Sequence, residues 1–432
     1  MGCKLPLFVT LFTIVALTSQ SLFASTESTV GSCTGPGMHY GTIQAAIAAA
    51  ASGATIDVCP GTYPEQVTIS TNLTLRGIKN GTLYAPTIVV PSTGLAANGT
   101  NDAGESVAAQ IFVKSADVTI AHLTVDGSKN GLPDCTINPM GIYYQNSSGT
   151  ITANAVRNVI MAPAHQGCPV GLAINIESNS GTPAVTVSHN SVRKYDKGGI
   201  VASGSGTGGG PAVTVTGNTV IGIGATTATA QNGIQIGYGA TGSVTFNDLA
   251  DDLYTNPPCG GTHQPQCYAG SGILIYASSG ITVNNNTVES TQLGIVTVTD
   301  PSYGTANDAV IKSNHIGGTR IYDAIDLCSD GNTAEFNTLY GSAQSGIHVD
   351  DGCSPSTGSN NTVTDNTINE ACAGILLGTG TGNTTSPDNL MDVIYTTLAG
   401  DVCPVPVEAS IIETVPAKPL ALRASPYIPI RK

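Results

Sequence analysis

The chain has 432 residues and a net charge of −14, and only 10% of its residues are charged. This acidic balance argues against binding to nucleic acids or anionic membranes, because both require a basic surface. A hydrophobic content of 41%, with apolar and polar residues in regular alternation, argues against a disordered chain.

The N-terminus has the features of an export signal. Lys4 precedes an apolar run from Leu5 to Leu17, and small residues surround Ala24. This run is too short to span a bilayer, and no later segment is long enough. We therefore expect residues 1–24 to be a signal peptide and the protein to be secreted, either extracellular or periplasmic, without membrane insertion.

An alanine-rich segment near the start of the mature chain predicts a short helix. Ile43 and Ile47 lie on one helical face, and Gly53 ends the pattern. Strand segments of three to five residues follow directly. A helix in this position is expected to cap the exposed end of a stack of strands, at about residues 39–53.

The central part of the chain is built from a repeated phrase in which an Asn opens a short strand and, in most repeats, a Gly-Ile step opens another. The repeated residues are Asn190, Asn218, Asn247, Asn286, Asn314, Asn337 and Asn366, which are 23 to 39 residues apart. A period of this length predicts a solenoid, and short strands of period 2 predict an all-β parallel β-helix. We place the Asn at a coil corner, where it would tolerate the left-handed conformation and stack in a ladder of amides.

One β-helix domain is expected to span residues 25–403, followed by an extended, proline-rich tail at residues 404–432. Three insertions break the repeat, at Pro91–Ser106, Ser203–Gly210 and Tyr254–Gly270. Loops on one side of a solenoid commonly form its binding face. Tyrosines that would stack on sugar rings are Tyr143, Tyr144, Tyr238, Tyr254 and Tyr268.

Ten cysteines remain after removal of the signal peptide, and an even number in an exported chain favours disulfides. Sequence alone does not select the pairing. Taken in order, the pairs are Cys33 with Cys59, Cys135 with Cys168, Cys259 with Cys267, Cys328 with Cys353, and Cys372 with Cys403. Four of these separations are close to one repeat, so each bridge would link neighbouring coils, whereas the pair at Cys259 would close a small loop.

The opening of the mature chain resembles that of a known group. Gly41-Thr-Ile-Gln-Ala-Ala-Ile, followed by Ile56-Asp-Val-Cys-Pro-Gly-Thr-Tyr and Leu73-Thr-Leu-Arg-Gly, is similar to the first coils of pectin-lyase-like right-handed parallel β-helix proteins. With the Asn repeats, the resemblance covers about residues 39–380. It implies a single-stranded, right-handed parallel β-helix with a short N-terminal capping helix.

This resemblance implies a fold but not one activity, because the fold hosts lyases, hydrolases, esterases, epimerases and non-catalytic binders. The chain has no Trp and lacks the signatures typical of pectinesterases. The chain contains some of the residue types of the polygalacturonase motifs, but not in the order that is typical of those enzymes. The expected function is binding to, or action on, an extracellular polysaccharide or cell-surface glycan, as a lyase or glycoside hydrolase, by a monomer. The alternative is a non-catalytic surface or adhesion solenoid.

One column of residues contains the candidate site. Aligning the Gly-Ile strands places Val201, Gln235, Leu274, Val296, Asp326, His348 and Leu376 in register, all facing outward. Asp326 and His348 would then be stacked on adjacent coils, about 4.8 Å apart. Asp323 and Asp330 lie on the first of these coils, Asp350 and Asp351 on the second, and Arg320 precedes both.

The stacked carboxylate and imidazole predict an acid and base pair. Hydrolysis would use Asp326 with Asp350 or Asp351 as the two carboxylates. A lyase would use a base together with Arg320, or with a Ca²⁺ ion held by Asp350 and Asp351, to neutralise a uronate. The structural alternative is that these residues form coil corners, shaped by a disulfide between Cys328 and Cys353.

Overall fold

The computed structural model describes residues 25–78, 86–163, 168, 170–206, 209–255, 270–319, 321–385, 388–400 and 403. The predicted signal peptide and the proline-rich tail lie outside the described residues, as does most of the third insertion. Cys259, Cys267 and Arg320 also lie outside them, so the predictions for these residues stay predictions.

The described chain contains one α-helix and 36 strands. The N-terminal elements are β1 Ser25–Val30, β2 Met38–Tyr40, α1 Ile43–Ala49, β3 Ala50–Val58, β4 Thr62–Pro64, β5 Val67–Ile69, β6 Leu73–Gly77, β7 Thr87–Val89, β8 Gly99–Thr100, β9 Ser106–Lys114, β10 Asp117–Ala121 and β11 Thr124–Asp126. The central strands are β12 Ile137–Gln145, β13 Ser148–Thr152, β14 Ala155–Val159, β15 Leu172–Glu177, β16 Ala184–Ser188, β17 Ser191–Tyr195, β18 Gly198–Ser203, β19 Ala212–Thr216, β20 Thr219–Ile221, β21 Asn232–Gly237, β22 Thr241–Thr245, β23 Asp248–Ala250 and β24 Ser271–Tyr276. The C-terminal strands are β25 Thr282–Asn284, β26 Thr287–Glu289, β27 Leu293–Val298, β28 Val310–Lys312, β29 His315–Gly317, β30 Ile325–Cys328, β31 Thr333–Glu335, β32 Thr338–Val349, β33 Thr362–Thr364, β34 Thr367–Leu377, β35 Thr384–Thr385 and β36 Asn389–Ala399.

These strands stack as a parallel β-helix, which confirms the predicted all-β fold. Each central coil contributes one strand to each of three parallel sheets; β16, β17 and β18 form one such coil. The first sheet runs from β2 through β1, β3, β6 and β10 to β35. The second sheet contains β17 and the third contains β18, and the long strands β32, β34 and β36 run through both.

The interior is filled by apolar residues, most of them branched, that each sheet contributes at every rung of the central coils. In the first sheet, residues at one register are all fully buried: Ile120, Ile151, Val187, Val215, Val244, Val283 and Ile311. Burying such a side chain contributes about 1.5–3 kcal/mol. Because strands of period 2 point alternate residues inward, the alternation in the sequence specifies this core.

Helix α1 closes the N-terminal end and confirms the predicted capping helix. Ile43 and Ile47 are buried against the first coils. The Glu65 carboxylate accepts hydrogen bonds from the first backbone N–H groups of the helix, including that of Ile43 at 2.9 Å. The helix is shorter than the Ala-rich pattern suggests, because β3 begins at Ala50, which pairs with β1.

The predicted amide ladder is present at the corner between the first and second sheets. Its members are Asn154, Asn190, Asn218, Asn247, Asn286, Asn314, Asn337 and Asn366, and all are buried. In each step, the backbone N–H and Nδ2 of one Asn donate to Oδ1 of the next; Nδ2 of Asn190 lies 3.0 Å from Oδ1 of Asn218. Nδ2 also donates to an interior carbonyl, that of Ile151 in this case, at 2.9 Å. The last member, Asn366, donates to Oδ1 of Asp388.

The left-handed conformation belongs to the residue before each ladder Asn, so its assignment to the Asn was wrong. These preceding residues have φ between 53° and 65°: Ala153, His189, Gly217, Phe246, Asn285, Ser313, Phe336 and Asp365. The Asn side chain must point into the corner to make its bonds. The chain therefore turns one residue earlier, where a side chain such as that of Phe246 points to solvent and is 63% exposed.

Four of the five predicted disulfides are confirmed. They are Cys33–Cys59, Cys135–Cys168, Cys328–Cys353 and Cys372–Cys403. Each closes a segment of about one coil, as the spacing predicted. None of the helical structure in the described part of the chain has the length and apolar character needed to cross a membrane.

Candidate functional site

The strand registers of the third sheet confirm the column predicted from the sequence. Consecutive partners are Val201, Gln235, Leu274, Val296, Asp326, His348 and Leu376, and the column extends toward the N-terminus through Asn175, Tyr143 and Phe112. Asp326 on β30 and His348 on β32 are therefore stacked on adjacent coils.

Asp323 joins this pair. Its Oδ2 lies 3.7 Å from Nδ1 of His348. Its Oδ1 accepts hydrogen bonds from Ser345 on the next coil, at 2.9 Å from the backbone N and 2.5 Å from Oγ. We call Asp323, Asp326 and His348 the aspartate–histidine cluster. One polar atom from each of the three lies within 4.8 Å of the others.

The protonation of this cluster differs from that of free side chains. Burial raises the pKa of Asp326 well above its usual range, and the negative charge of Asp350 adds to this effect. For His348, burial lowers the pKa, but the hydrogen bond with Asp323 and the charges of Asp323, Asp326 and Asp350 outweigh it and raise the pKa to about 10. Burial therefore favours the protonated form of Asp326, and the neighbouring carboxylates favour the protonated form of His348.

Of the two carboxylates predicted to hold a Ca²⁺ ion, Asp350 and Asp351, only Asp350 belongs to this neighbourhood. Asp350 lies beside the cluster, with its Oδ2 3.2 Å from Sγ of Cys328, and its Oδ1 accepts a hydrogen bond from the backbone N of Gly352 at 2.7 Å. Asp351 instead accepts hydrogen bonds from the backbone N and Oγ1 of Thr379. The two carboxylates therefore point to different partners, and the geometry does not favour a Ca²⁺ ion held between them.

The cluster is also far less accessible than an outward-facing position suggests. Asp326 is 8% exposed and His348 is 5% exposed. A second apolar layer, which includes Val296 and the Cys328–Cys353 disulfide, covers the neighbouring part of the column. Oδ1 of Asp326 and Nε2 of His348 are buried from water. A polymer chain cannot contact atoms that water does not reach, so this burial argues against direct contact between these two atoms and a polysaccharide. A catalytic role for this pair stays a prediction.

An open cavity of about 340 Å³ lies on the same face, toward the N-terminus. Four rungs separate Val201 at its edge from Asp326, a distance of about 19 Å at about 4.8 Å per rung. The cavity is lined by Asn101, Asp102, Ala103, Glu105, Asn138, Met140, Leu172, Asn175, Glu177, Val201, Ser203, Gly204, Ser205, Tyr238 and Tyr303. The first and second predicted insertions both supply its walls.

Glu177, at the end of β15, is the central acid of this cavity. Its Oε2 accepts a hydrogen bond from the hydroxyl of Tyr143 at 2.6 Å. Its Oε1 accepts one from the backbone N of Asp102 in the first insertion, at 3.0 Å. Tyr143 is held in turn by Phe112 on the previous coil, whose ring stacks on it at 5.0 Å and 9°. The Glu177 carboxyl is therefore fixed by a strand and by a loop.

Two of the three carboxyls that line the cavity, Glu177 and Asp102, have raised pKa values. Burial raises the pKa of Glu177, the charges of Asp102 and Glu105 contribute, and the value reaches about 7 despite the hydrogen bond from Tyr143. Burial also raises the pKa of Asp102, while a hydrogen bond from Gln145 opposes the shift. A carboxyl that is half-protonated near neutral pH has the property required of a general acid.

Two tyrosine rings, those of Tyr238 and Tyr303, also line the cavity. Tyr238 and Tyr303 pack edge to face, with their centroids 4.9 Å apart, and Tyr303 is 48% exposed. Tyr276 packs against Tyr238 and donates a hydrogen bond to Asp300, which precedes the Tyr303 loop. Of the tyrosines proposed from the sequence to stack on sugars, Tyr238 lines the cavity, whereas Tyr144 is buried inside the coil with its hydroxyl bonded to a backbone carbonyl.

Sequence reasoning missed Glu177 and Asp102. They are 75 residues apart and meet only because the first insertion folds back over the third sheet. One signal was available: Glu177 ends a strand in a chain with few charges, and the first insertion places two acids, Asp102 and Glu105, in one loop. Predicting that these acids meet would have required the path of the first insertion over the third sheet. The repeat does not specify this path.

Comparisons with known proteins agree with the fold. Residues 172–390 match the family described as right handed beta helix region. No curated protein sequence matches the chain. The native structure of the GH136 lacto-N-biosidase from Eubacterium ramulus aligns with a TM-score of 0.54 and 12% identity, over 81% of this chain and 62% of that one. The chain thus spans less than two thirds of that enzyme.

The chain is also similar to the surface adhesin PfbA of Streptococcus pneumoniae, with a TM-score of 0.48 and 14% identity, over 82% of this chain and 86% of that one. The family 28 exopolygalacturonase of Yersinia enterocolitica aligns with a TM-score of 0.39 and 10% identity, over 84% of this chain and 76% of that one. At such identities a structural likeness concerns the fold and not the activity.

Proposed function

We propose that the chain, which belongs to the right-handed β-helix family, binds an extracellular polysaccharide on its third sheet and hydrolyses it in the Glu177 cavity. The observation on which this proposal depends is the pKa of Glu177, about 7, in an open cavity that also contains Asp102. Glycoside hydrolysis commonly uses two such carboxyls, one as acid and one as base or nucleophile.

In this proposal Glu177 is the general acid. Its proton passes to the glycosidic oxygen as the bond from that oxygen to the anomeric carbon breaks. Asp102 accepts the proton of the attacking water, whose oxygen forms the new bond to the anomeric carbon. The hydrogen bond from Tyr143 to Glu177 orients the acid, so Tyr143 is a positioning residue.

The charge of the cavity favours a neutral glycan over a polyuronate. Three acids line it, Asp102, Glu105 and Glu177, and none of its described lining residues is Lys or Arg. Lys114 is the cation on the same register column, two rungs from Glu177. A uronate carboxylate would meet like charges here, which raises the free energy of binding. This favours the hydrolase alternative over the lyase alternative.

The location follows from the same features. Four disulfides require an oxidising compartment, so we place the mature protein outside the cytoplasm, extracellular or periplasmic, after removal of residues 1–24. We propose that one chain is the functional unit, since a single chain can supply the three acids and the two tyrosines that line the cavity.

The test is a panel of neutral and uronate polysaccharides incubated with the secreted protein, scored for new reducing ends and for unsaturated products. We expect reducing ends from a neutral glycan and no unsaturated products. Glu177→Gln should lower the rate by at least about 100-fold while retaining glycan binding, because it removes only the acid. Glu370→Gln, an exposed position outside the cavity, is the matched control and should leave the rate unchanged.

Other outcomes would identify a different function. Unsaturated products from a uronate polymer would favour a lyase. Binding that persists without any product, in the wild type as in the variant, would favour the non-catalytic adhesion solenoid. An absence of binding to every glycan in the panel would contradict a polysaccharide-directed function.

A further inference from the structure

We propose that the aspartate–histidine cluster of Asp323, Asp326 and His348 binds one divalent transition-metal ion of the Zn²⁺ type between two neighbouring coils. This site is separate from the Glu177 cavity, about 19 Å away by rung count. It is the one group of at least three His, Cys, Asp or Glu side chains, among the residues that the structure describes, with ligand atoms placed for a shared ion.

The first argument is geometric. A ligand atom from each of the three residues lies within 4.8 Å of the others, and all three residues are buried. Three protein ligands around one ion, with the fourth position filled by another group, form a common zinc arrangement. Asp350 lies beside the cluster and adds negative charge to it.

The second argument comes from polar atoms that lack partners. Oδ1 of Asp326 and Nε2 of His348 are both buried from water and have no hydrogen-bond partner. Buried polar side-chain atoms are nearly always paired in folded proteins, and unpaired ones call for an explanation such as an ion. A cation between the coils would satisfy an acceptor on Asp326 and a lone pair on His348 at the same time.

The third argument is the chemistry of the donors. Ca²⁺ prefers six to eight oxygen ligands, whereas an imidazole nitrogen with carboxylate oxygens suits zinc and related transition metals. The second oxygen of Asp323 is already fixed by Ser345, through its backbone N at 2.9 Å and its Oγ at 2.5 Å. Support of this kind orients a metal-binding carboxylate.

The position of the cluster gives the ion a structural role. Asp323 and Asp326 belong to the coil of β30, and His348 belongs to the next coil, on β32. The column continues with Val296 on one side and Leu376 on the other, so the ion would sit in an apolar section of the outer face. Binding would connect two coils of the C-terminal half and displace the protons now held by the cluster.

The experiment uses the full secreted chain, freed of metal with a chelator and then titrated with Zn²⁺ by calorimetry. We expect one ion per chain. Asp326→Asn and His348→Ala should each weaken Zn²⁺ binding at least about 10-fold, because each removes a ligand. Asp308→Asn and His315→Ala are matched controls at exposed positions and should bind Zn²⁺ as the wild type does.

Anomalous diffraction at the zinc edge, from wild-type crystals grown with one equivalent of Zn²⁺, tests the same proposal without any variant. The expected result is a single strong peak between Asp326 and His348. The proposal is overturned if the wild type binds no Zn²⁺, if the peak lies elsewhere, or if both ligand variants bind Zn²⁺ with undiminished affinity. None of these results depends on the activity of the Glu177 cavity, so the two proposals fail separately.

Discussion

Glu177 is a side chain whose ionisation the fold makes unfavourable. Its carboxyl is partly buried beside two further acids, Asp102 and Glu105, and its pKa rises from 4.5 to about 7. The folded chain therefore holds a proton on Glu177 at pH values where the unfolded chain has released it. The free energy of unfolding must then depend on pH through the titration of Glu177.

The prediction for this residue concerns Glu177→Gln. Between about pH 4.5 and pH 7, folded wild type binds more protons than unfolded wild type, so its free energy of unfolding falls as the pH rises through this range. The Gln variant lacks this titration. We expect the melting temperature of the variant, relative to wild type, to increase steadily from pH 4 to pH 8.

Thermal denaturation of both proteins at four or five pH values measures this difference. Glu370→Gln supplies the baseline, because its exposed side chain should give a curve parallel to that of the wild type. If the Glu177→Gln curve is also parallel, Glu177 titrates normally and the proposed acid loses its physical basis.

Single residues also show which properties of the site could be predicted from the sequence and which could not. Asp326 and His348 were predicted to stack because each coil adds one rung and the register between coils does not slip. Their burial was not predictable, since it depends on a second apolar layer formed by residues such as Val296 and Cys328. Glu177 was missed because its environment is created by a loop whose path the repeat does not encode.

At the scale of structural elements, the amide ladder fixes the corner of every central coil. Asn286 illustrates this role: its Oδ1 accepts from the backbone N of Asn247 at 3.0 Å, and its Nδ2 donates to the Val244 carbonyl and to Asn314. Removing one such side chain leaves partners unsatisfied in two neighbouring coils.

We predict that Asn286→Ala lowers the free energy of unfolding by about 2–4 kcal/mol, because it leaves at least two buried polar groups unpaired at about 1–3 kcal/mol each. Chemical denaturation measures this loss. Asn285→Gly is the neighbouring control: the residue is exposed and left-handed, a conformation that Gly adopts without strain, so the change should be small. Equal losses in the two variants would contradict a structural role of the ladder.

The elements themselves were largely predictable. The strands β10, β16 and β19 coincide with the Val-Thr-Ile and Val-Thr-Val segments of the sequence, because β-branched alternation has few other stable arrangements. The ladder was predicted from the repeated Asn. The left-handed conformation was assigned to the Asn itself and not to the residue before it, because periodicity identifies which residue repeats and not which residue makes the turn.

At the scale of the whole molecule, a solenoid is held together mainly by contacts between neighbouring coils, so its ends are the first parts to open. Two disulfides are placed there. Cys33–Cys59 connects the N-terminal segment to β3, and Cys372–Cys403 connects β34 to the end of the described chain. Closing a loop of 26 residues contributes about 3 to 4 kcal/mol in the chain-entropy account.

We predict that replacing Cys33 and Cys59 together by Ser accelerates hydrogen exchange in the first coils, including β3 and β6, and leaves the central strands β22 and β25 protected as in the wild type. Hydrogen exchange followed by mass spectrometry resolves these segments. Equal acceleration along the whole chain would instead mean that the solenoid opens as one cooperative unit.

The ladder also contributes a dipole moment along the axis of the β-helix. Each Asn has its amide NH₂ directed toward the C-terminal neighbour and its oxygen toward the N-terminal one, so the small dipoles of eight side chains add head to tail. The positive end of this row meets the carboxylate of Asp388, which accepts from Asn366 at 2.7 and 2.9 Å. A carboxylate complements that end electrostatically, as an acidic residue does at the start of a helix. It also has no amide hydrogen to donate further, so the row stops at Asp388 instead of offering a template on which another chain could continue stacking.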